Sequence, residues 1–146
     1  MRETCNEKYD AIFNLFTSFG YFEDDADNYK TIKAIHNSLT ETGFAVIDFM
    51  NVDYVLENLV SDEVKSVDGI DFHIKRYLKD GHIYKEIDFE DKGEKFHFTE
   101  KVQALRLEDF EKIMEEAGIY LLDIFGDYKL RKFFKTQSER LIMIFK

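Results

Sequence analysis

Histidine is the side chain best suited to proton transfer near neutral pH and to metal binding, and this sequence has four, His36, His73, His82 and His97. None stands at a spacing that metal sites use. His73 and His97 fall on the polar side of alternating segments and share a face, but a metal needs further convergent ligands with partners behind them. Cys5, the single cysteine, reads as an ordinary free thiol and can form no internal disulfide. The seven glycines, at 20, 43, 69, 81, 93, 118 and 126, include no pair two residues apart. The sequence therefore carries no Gly-x-Gly loop for a phosphate or nucleoside, and it has no Walker-type loop or Ser-His-Asp ordering. The polar and aromatic residues placed to touch a ligand lie beyond the ends of apolar runs. Asn14, at the end of the first run, and Phe16, Thr17 and Tyr21 after it form one group, and Asn51 follows the second. Arg76, Tyr77 and Tyr128 come later in the chain. Each has a plainer reading beside the functional one. Asn51 suits a helix cap before Val52, the segment 14–21 suits a self-satisfied turn, and Arg76, Tyr77 and Tyr128 suit solvated positions.

The elements that would position these residues follow from periodicity. Tyr9 to Leu15 is a nearly continuous apolar run, expected as a strand covered on both faces. Asp24 or Asp25 caps a helix with Asn28, Ile32, Ile35 and Leu39 on one face. Gly43 then takes the left-handed position past the helix end. Phe44 to Phe49 is a second buried strand. Strand, helix and strand over so short a stretch make a right-handed crossover with a parallel pair, 9–15 beside 44–49. In such sheets ligands bind beyond the carboxyl ends of the strands, so Asn14 to Tyr21 and Asp48 to Asn51 share one rim.

The middle of the chain has a period of two instead. Ile70, Phe72 and Ile74 alternate with Asp71, His73 and Lys75; Ile83 to Phe89 and Phe96 to Leu105 continue the pattern. Asp80-Gly81 and Lys92-Gly93 mark tight turns between them. This predicts a three-strand antiparallel meander inserted at about 67–105. Leu107, Phe110, Ile113, Met114 and Ala117 then mark an amphipathic helix closed by Gly118. Strands follow at Ile119 to Phe125 and Glu139 to Phe145, with a polar, basic loop between them.

With 146 residues, 45% of them hydrophobic and 16% aromatic, the chain suits one domain, residues 1–146, with a real core. A net charge of −10 argues against nucleic acid and against anionic membranes, both of which call for a basic surface. Apolar runs such as Leu141 to Phe145 are too short to span a bilayer, and the start of the chain has no signal-type stretch. A cytoplasmic protein is the expectation.

The string Tyr-Asp-Ala-Ile-Phe-Asn-Leu-Phe-Thr-Ser-Phe-Gly-Tyr-Phe, Tyr9 to Phe22, resembles the fourth-strand motif of class I S-adenosylmethionine-dependent methyltransferases. Further pieces fit in order. Tyr29 to Leu39 resembles the helix after that strand, and Gly43 to Asp48 the fifth strand. Leu107 to Ile119 resembles the helix before the sixth strand, and Ser138 to Ile142 the closing antiparallel strand. The inserted meander resembles the cap of small-molecule and sugar-amine methyltransferases. Leu39 to Gly43 departs from the family in lacking its usual Pro-Gly turn.

The resemblance implies an α/β fold, a Rossmann-like sheet represented by its C-terminal part, and an activity on a small-molecule acceptor. The cofactor it implies is S-adenosyl-L-methionine. It implies cofactor contacts at Asn14, Phe16 and Thr17, and substrate contacts at Tyr21, Asn51, Arg76, Tyr77 and Tyr128. The family's glycine loop and acidic strand ends, which hold most of the cofactor, have no counterpart in these residues. The expectation is a truncated enzyme, inactive alone, whose strand 9–15 keeps a free edge for a second copy or a complementing N-terminal fragment. A non-catalytic binding or assembly module using that edge and the cap is the alternative. A small α+β ligand-binding domain matching by coincidence is a third reading, and it would lack the parallel pairing of 9–15 with 44–49.

Overall fold

The computed structural model describes residues 7–22 and 24–146. The reading of Cys5 lies outside them. The chain divides into two compact units, one made of residues 1–55 and 105–146 and the other of residues 56–104. In chain order the elements are β1 (Tyr9–Asn14), α1 (Asp25–Asn37), β2 (Leu39–Met50), α2 (Val52–Glu57), β3 (Asp62–Val67), β4 (Ile70–Lys79), β5 (His82–Asp91), β6 (Glu94–Gln103), α3 (Leu107–Ala117), β7 (Leu121–Phe125) and β8 (Arg140–Phe145).

The first unit is built on a four-stranded sheet in the order β1-β2-β8-β7. β1 and β2 run parallel, with Ala11 opposite Phe44 and Asn14 opposite Ile47. β8 is antiparallel to both β2 and β7. The fold class and the parallel pair expected from the sequence are both present, and the coincidental α+β reading fails on that pair.

β2 is buried almost without interruption from Ala45 to Phe49, because it has a strand on each side. β1 is different: Tyr9 and Phe13 are exposed and Ile12 is half-buried. The expectation of a strand covered on both faces is corrected here. β1 stands at the sheet edge with a single strand neighbour among the described residues, and its Phe13 ring packs edge-on against Phe44, itself partly exposed.

α1 is capped by Asp24, whose side chain accepts the Ala26 N–H at 2.9 Å. The helix ends at Asn37, with the Ser38 N–H bonded back to the carbonyls of Ala34 and Ile35. Leu39 is therefore the first residue of β2 and lies outside the helix. Gly43 is likewise no helix cap. It lies within β2, where a Cβ would come 2.8 Å from the Tyr9 carbonyl oxygen, closer than carbon and oxygen pack. Its glycine lets the two parallel backbones close at the shift in register between Tyr9 and Ala11.

The core gathers on α3. Phe110 is fully buried, with ring centroids 5.4 Å from Phe19 and 5.3 Å from Phe49. Met114 and Ala117 continue the buried stripe, and Gly118 closes the helix at φ 70° with bonds to Met114 and Glu115. Lys33 of α1 donates to the Ala117 carbonyl at 2.9 Å, which fixes α1 beside α3. Burial of an aromatic of this size is worth about 3 kcal/mol.

The second unit is a four-stranded antiparallel sheet, β3-β4-β5-β6, one strand more than the periodicity indicated. β3 reads Asp-Glu-Val-Lys-Ser-Val, almost wholly exposed, so it lacks the apolar alternation of its neighbours. All three hairpins use two-residue turns with positive φ at both positions: Asp68-Gly69, Asp80-Gly81 and Lys92-Gly93. Such turns match the natural twist of paired strands. No helix among the described residues is long and apolar enough to cross a membrane.

Candidate site at the carboxyl rim of the parallel pair

Asp48 is the one charged residue in the apolar stretch of β2, and it is 1% exposed. A carboxylate this dry must find donors, and it finds three along the rim, while the backbone carbonyl of the same residue takes a fourth. Its Oδ2 accepts the Phe16 N–H at 2.9 Å and the Tyr128 hydroxyl at 3.0 Å. Its Oδ1 accepts the Arg140 Nε–H at 2.8 Å. Its backbone carbonyl accepts the Thr17 N–H at 3.0 Å. Arg140 also donates from Nη2 to Thr17 Oγ1 at 3.0 Å. Its guanidinium stands 5.8 Å from the Tyr128 ring centroid.

This network explains the backbone after β1. Phe16 and Thr17 both have positive φ, 59° and 57°, a conformation that costs a non-glycine residue about 1–2 kcal/mol. Two amides bonded to one aspartate hold the turn in that shape. The Ser18 hydroxyl closes it from the other side, 2.7 Å from the Leu15 carbonyl and 3.1 Å from Asn14 Oδ1. With both N–H groups turned onto Asp48, what the turn offers outward is the Phe16 ring. That ring is 75% exposed and lies 6.4 Å, centroid to centroid, from the half-exposed ring of Tyr128. Burial pushes the Tyr128 phenol above its ordinary pKa, and the hydrogen bond to Asp48 adds to the shift; the Arg140 charge opposes it.

Of the residues singled out in the sequence, Asn14, Phe16, Thr17 and Tyr128 meet at this rim. Tyr21 lies further along the same segment, half-exposed. Asn51 is buried and donates both amide hydrogens to the loop before β8, to the carbonyls of Lys135 at 2.8 Å and Ser138 at 2.7 Å. It fastens that loop to the start of α2. In the same loop Gly126 lies so close to Ser138 that a Cβ would fall 2.1 Å from Ser138 Oγ, so the loop folds tightly behind Tyr128. A charged cluster continues this side of the unit. Arg106 pairs with Asp53 at 2.9 Å, and Lys135 pairs with Glu108.

Arg76 and Tyr77 belong to the second unit. Arg76 pairs with Glu63 at 2.6 Å, which holds the Glu63 carboxyl below its usual range. The Tyr77 hydroxyl donates to Glu86 at 2.7 Å, and its ring stacks on Tyr84 at 5.1 Å. His97 bonds Asp88 at 2.7 Å. No cluster of three or more His, Cys, Asp or Glu suited to a metal occurs among the described residues. Reading the sequence set Asp48 on the rim without a role and passed over Arg140. The signal for both was available: a single acid inside a buried strand requires a buried cation, and Arg140 opens the strand paired with it.

No family model matches the chain. Over 124 residues it is 28% identical to the glycine/sarcosine/dimethylglycine N-methyltransferase of Actinopolyspora halophila, a match covering 84% of this chain and 21% of that protein. Over 125 residues it is 25% identical to the glycine/sarcosine N-methyltransferase of Halorhodospira halochloris, covering 84% of this chain and 45% of that protein. The chain thus spans less than half the length of either curated relative. Among solved structures, an S-adenosylmethionine-dependent methyltransferase from Clostridium acetobutylicum superposes with a TM-score of 0.85 at 25% identity, over 98% of this chain and 60% of that one.

Proposed function

We propose, from the resemblance of this chain to the C-terminal part of class I S-adenosylmethionine-dependent methyltransferases, that it supplies the acceptor side of a cytoplasmic enzyme methylating a small amine. The observation that carries this reading is the superposition of 98% of the chain on one such enzyme. The two curated relatives are N-methyltransferases of glycine and its methylated derivatives, which points the acceptor class toward small amines.

The rim fits part of the cofactor. The exposed Phe16 and Tyr128 rings offer faces that attract a cation such as a sulfonium. The methyl donor supplies the electrophilic carbon; these residues would orient it and exclude water. The Phe16 and Thr17 amides are already bonded to Asp48, so they are not available to hold the donor's carboxylate. Residues 1–146 alone therefore bind the cofactor weakly in this reading. Tight binding calls for a glycine-rich segment placed against the open edge of β1, where a further strand would extend the sheet. Asn14, Phe16 and Thr17 then face the cofactor, and Tyr21, Asn51, Arg76, Tyr77 and Tyr128 remain the acceptor-side candidates.

Calorimetric titration tests this. Residues 1–146 should take up S-adenosylmethionine weakly or not at all. The same residues joined to a glycine-rich methyltransferase N-terminal part should bind it and methylate glycine or sarcosine. Tight binding by residues 1–146 alone would overturn the division of labour, and a joined chain that binds cofactor but methylates no amine would overturn the acceptor class.

A further inference from the structure

We propose that Arg140 sets the specificity of the rim by receiving the carboxylate of a carboxylate-bearing amine, an inference that rests on the small-amine acceptor proposed above. A guanidinium carries five N–H donors in a fixed, planar arrangement. Two are used here: Nε–H meets Asp48 Oδ1 at 2.8 Å, and one Nη2–H meets Thr17 Oγ1 at 3.0 Å. Nη1, with two hydrogens, and the second Nη2 hydrogen have no acceptor among the described residues. Nη1 is also not one of the side-chain nitrogens sealed from solvent without a partner, so its hydrogens reach the surface. The side chain as a whole is only 19% exposed. Arg140 is therefore walled in along its stem and open at its tip, where the unused donors form a fork. Such a fork matches the two oxygens of a carboxylate.

The place and the charges agree with that occupant. Arg140 stands opposite Met50 at the carboxyl end of β2, where ligands of parallel sheets bind. Asp48 meets Arg140 through Oδ1 alone, while its Oδ2 accepts the Phe16 N–H and the Tyr128 hydroxyl. Its negative charge is thus shared among three donors, and the outer fork of Arg140 stays positive. The neighbouring cations are already matched, Arg106 by Asp53, Arg131 by Asp127 and Lys135 by Glu108. A phosphate dianion would exceed what one shared guanidinium can balance; a single carboxylate does not. Held at Arg140, an amine one carbon from its carboxylate stays beside the Phe16 and Tyr128 rings, the pair suited to face the donor's sulfonium.

NMR titration of the full chain, read at the Arg140 side-chain N–H signals, tests this with sarcosine, sarcosinamide and glucosamine as probes. Sarcosine should shift those signals and bind on the order of tenfold more tightly than sarcosinamide, which keeps the amine and lacks the charged carboxylate. Arg140→Lys leaves a cation beside Asp48 and removes the fork. It should retain the circular dichroism of the unaltered chain and bring sarcosine down to the level of sarcosinamide. If that variant fails to fold, the shift at Arg140 and the preference of the unaltered chain still decide. The proposal is overturned by equal binding of sarcosine and sarcosinamide, by Arg140 signals that sarcosine leaves unmoved, or by a preference that survives in folded Arg140→Lys. Glucosamine bound at Phe16 and Tyr128 in any of those cases would leave the small-amine acceptor standing without the carboxylate anchor, and failure of all three probes to bind would overturn both.

Discussion

Tyr128 and Tyr77 each donate a hydrogen bond to a carboxylate, and the two bonds do different jobs. Tyr128 reaches Asp48 at the rim of the parallel pair, at 3.0 Å; Tyr77 reaches Glu86 on the antiparallel meander, at 2.7 Å. The shorter bond is the less consequential. Glu86 is half-exposed on a sheet face that water reaches, so water can replace either partner. Asp48 is buried and serves an arginine, two backbone amides and a phenol together. What a polar contact contributes is set by what is left stranded when it is removed, more than by its length.

The sharpest way to break this comparison is at the carboxylates. Asp48→Ala should destabilise the first unit by about 3 kcal/mol, since it strands Arg140 and takes the acceptor from the Phe16 amide and the Tyr128 hydroxyl. Glu86→Ala should leave chemical denaturation almost unchanged, and equal losses for the two would end the contrast. Next comes Tyr128→Phe, expected to cost about 1 kcal/mol and to speed amide exchange at Phe16 and Thr17, where Tyr77→Phe should do neither.

Titration sharpens the contrast further. Both phenols are raised above the ordinary value, Tyr128 chiefly by burial and Tyr77 chiefly by its bond to Glu86. A raised folded-state pKa means stability that is whole below about pH 10, the unfolded value, and lost as pH climbs through the folded one. In an absorbance titration, Tyr128→Phe and Tyr77→Phe should each remove a late-titrating phenol. The alkaline loss of stability should follow Tyr128. The smallest effect is expected at Lys85, whose exposed pair with Glu100 spans 3.2 Å. Lys85→Met should change stability by about 0.5 kcal/mol or less.

The sequence was most legible where a periodic pattern coincided with turn chemistry. α3 was readable because Phe110, Met114 and Ala117 form a stripe ending at a glycine with φ 70°. The hairpins at Asp80-Gly81 and Lys92-Gly93 were readable for the same kind of reason. β3 was missed because it is polar on both faces, although its Asp68-Gly69 turn repeats the signal of the other hairpins. Gly43 was misplaced because a glycine after a helix reads as a cap, and nothing local reveals that the Tyr9 backbone passes within 2.8 Å of where its Cβ would stand. At the rim, Asn14, Phe16, Thr17 and Tyr128 were singled out through the family resemblance and their places after strand ends. Arg140 lies 92 residues from the Asp48 it neutralises, and periodicity carries no information over that separation.

The position of β8 has a consequence for how the molecule assembles. It is the last element in the sequence, yet it sits inside its sheet, between β2 and β7. The hairpins of β3 to β6 join neighbours through two-residue turns and can zip within microseconds of leaving the ribosome. The first unit must wait. Until Arg140 to Phe145 emerge, β7 has no central partner and Asp48 lacks its arginine, so the meander is complete while its host is still half-made.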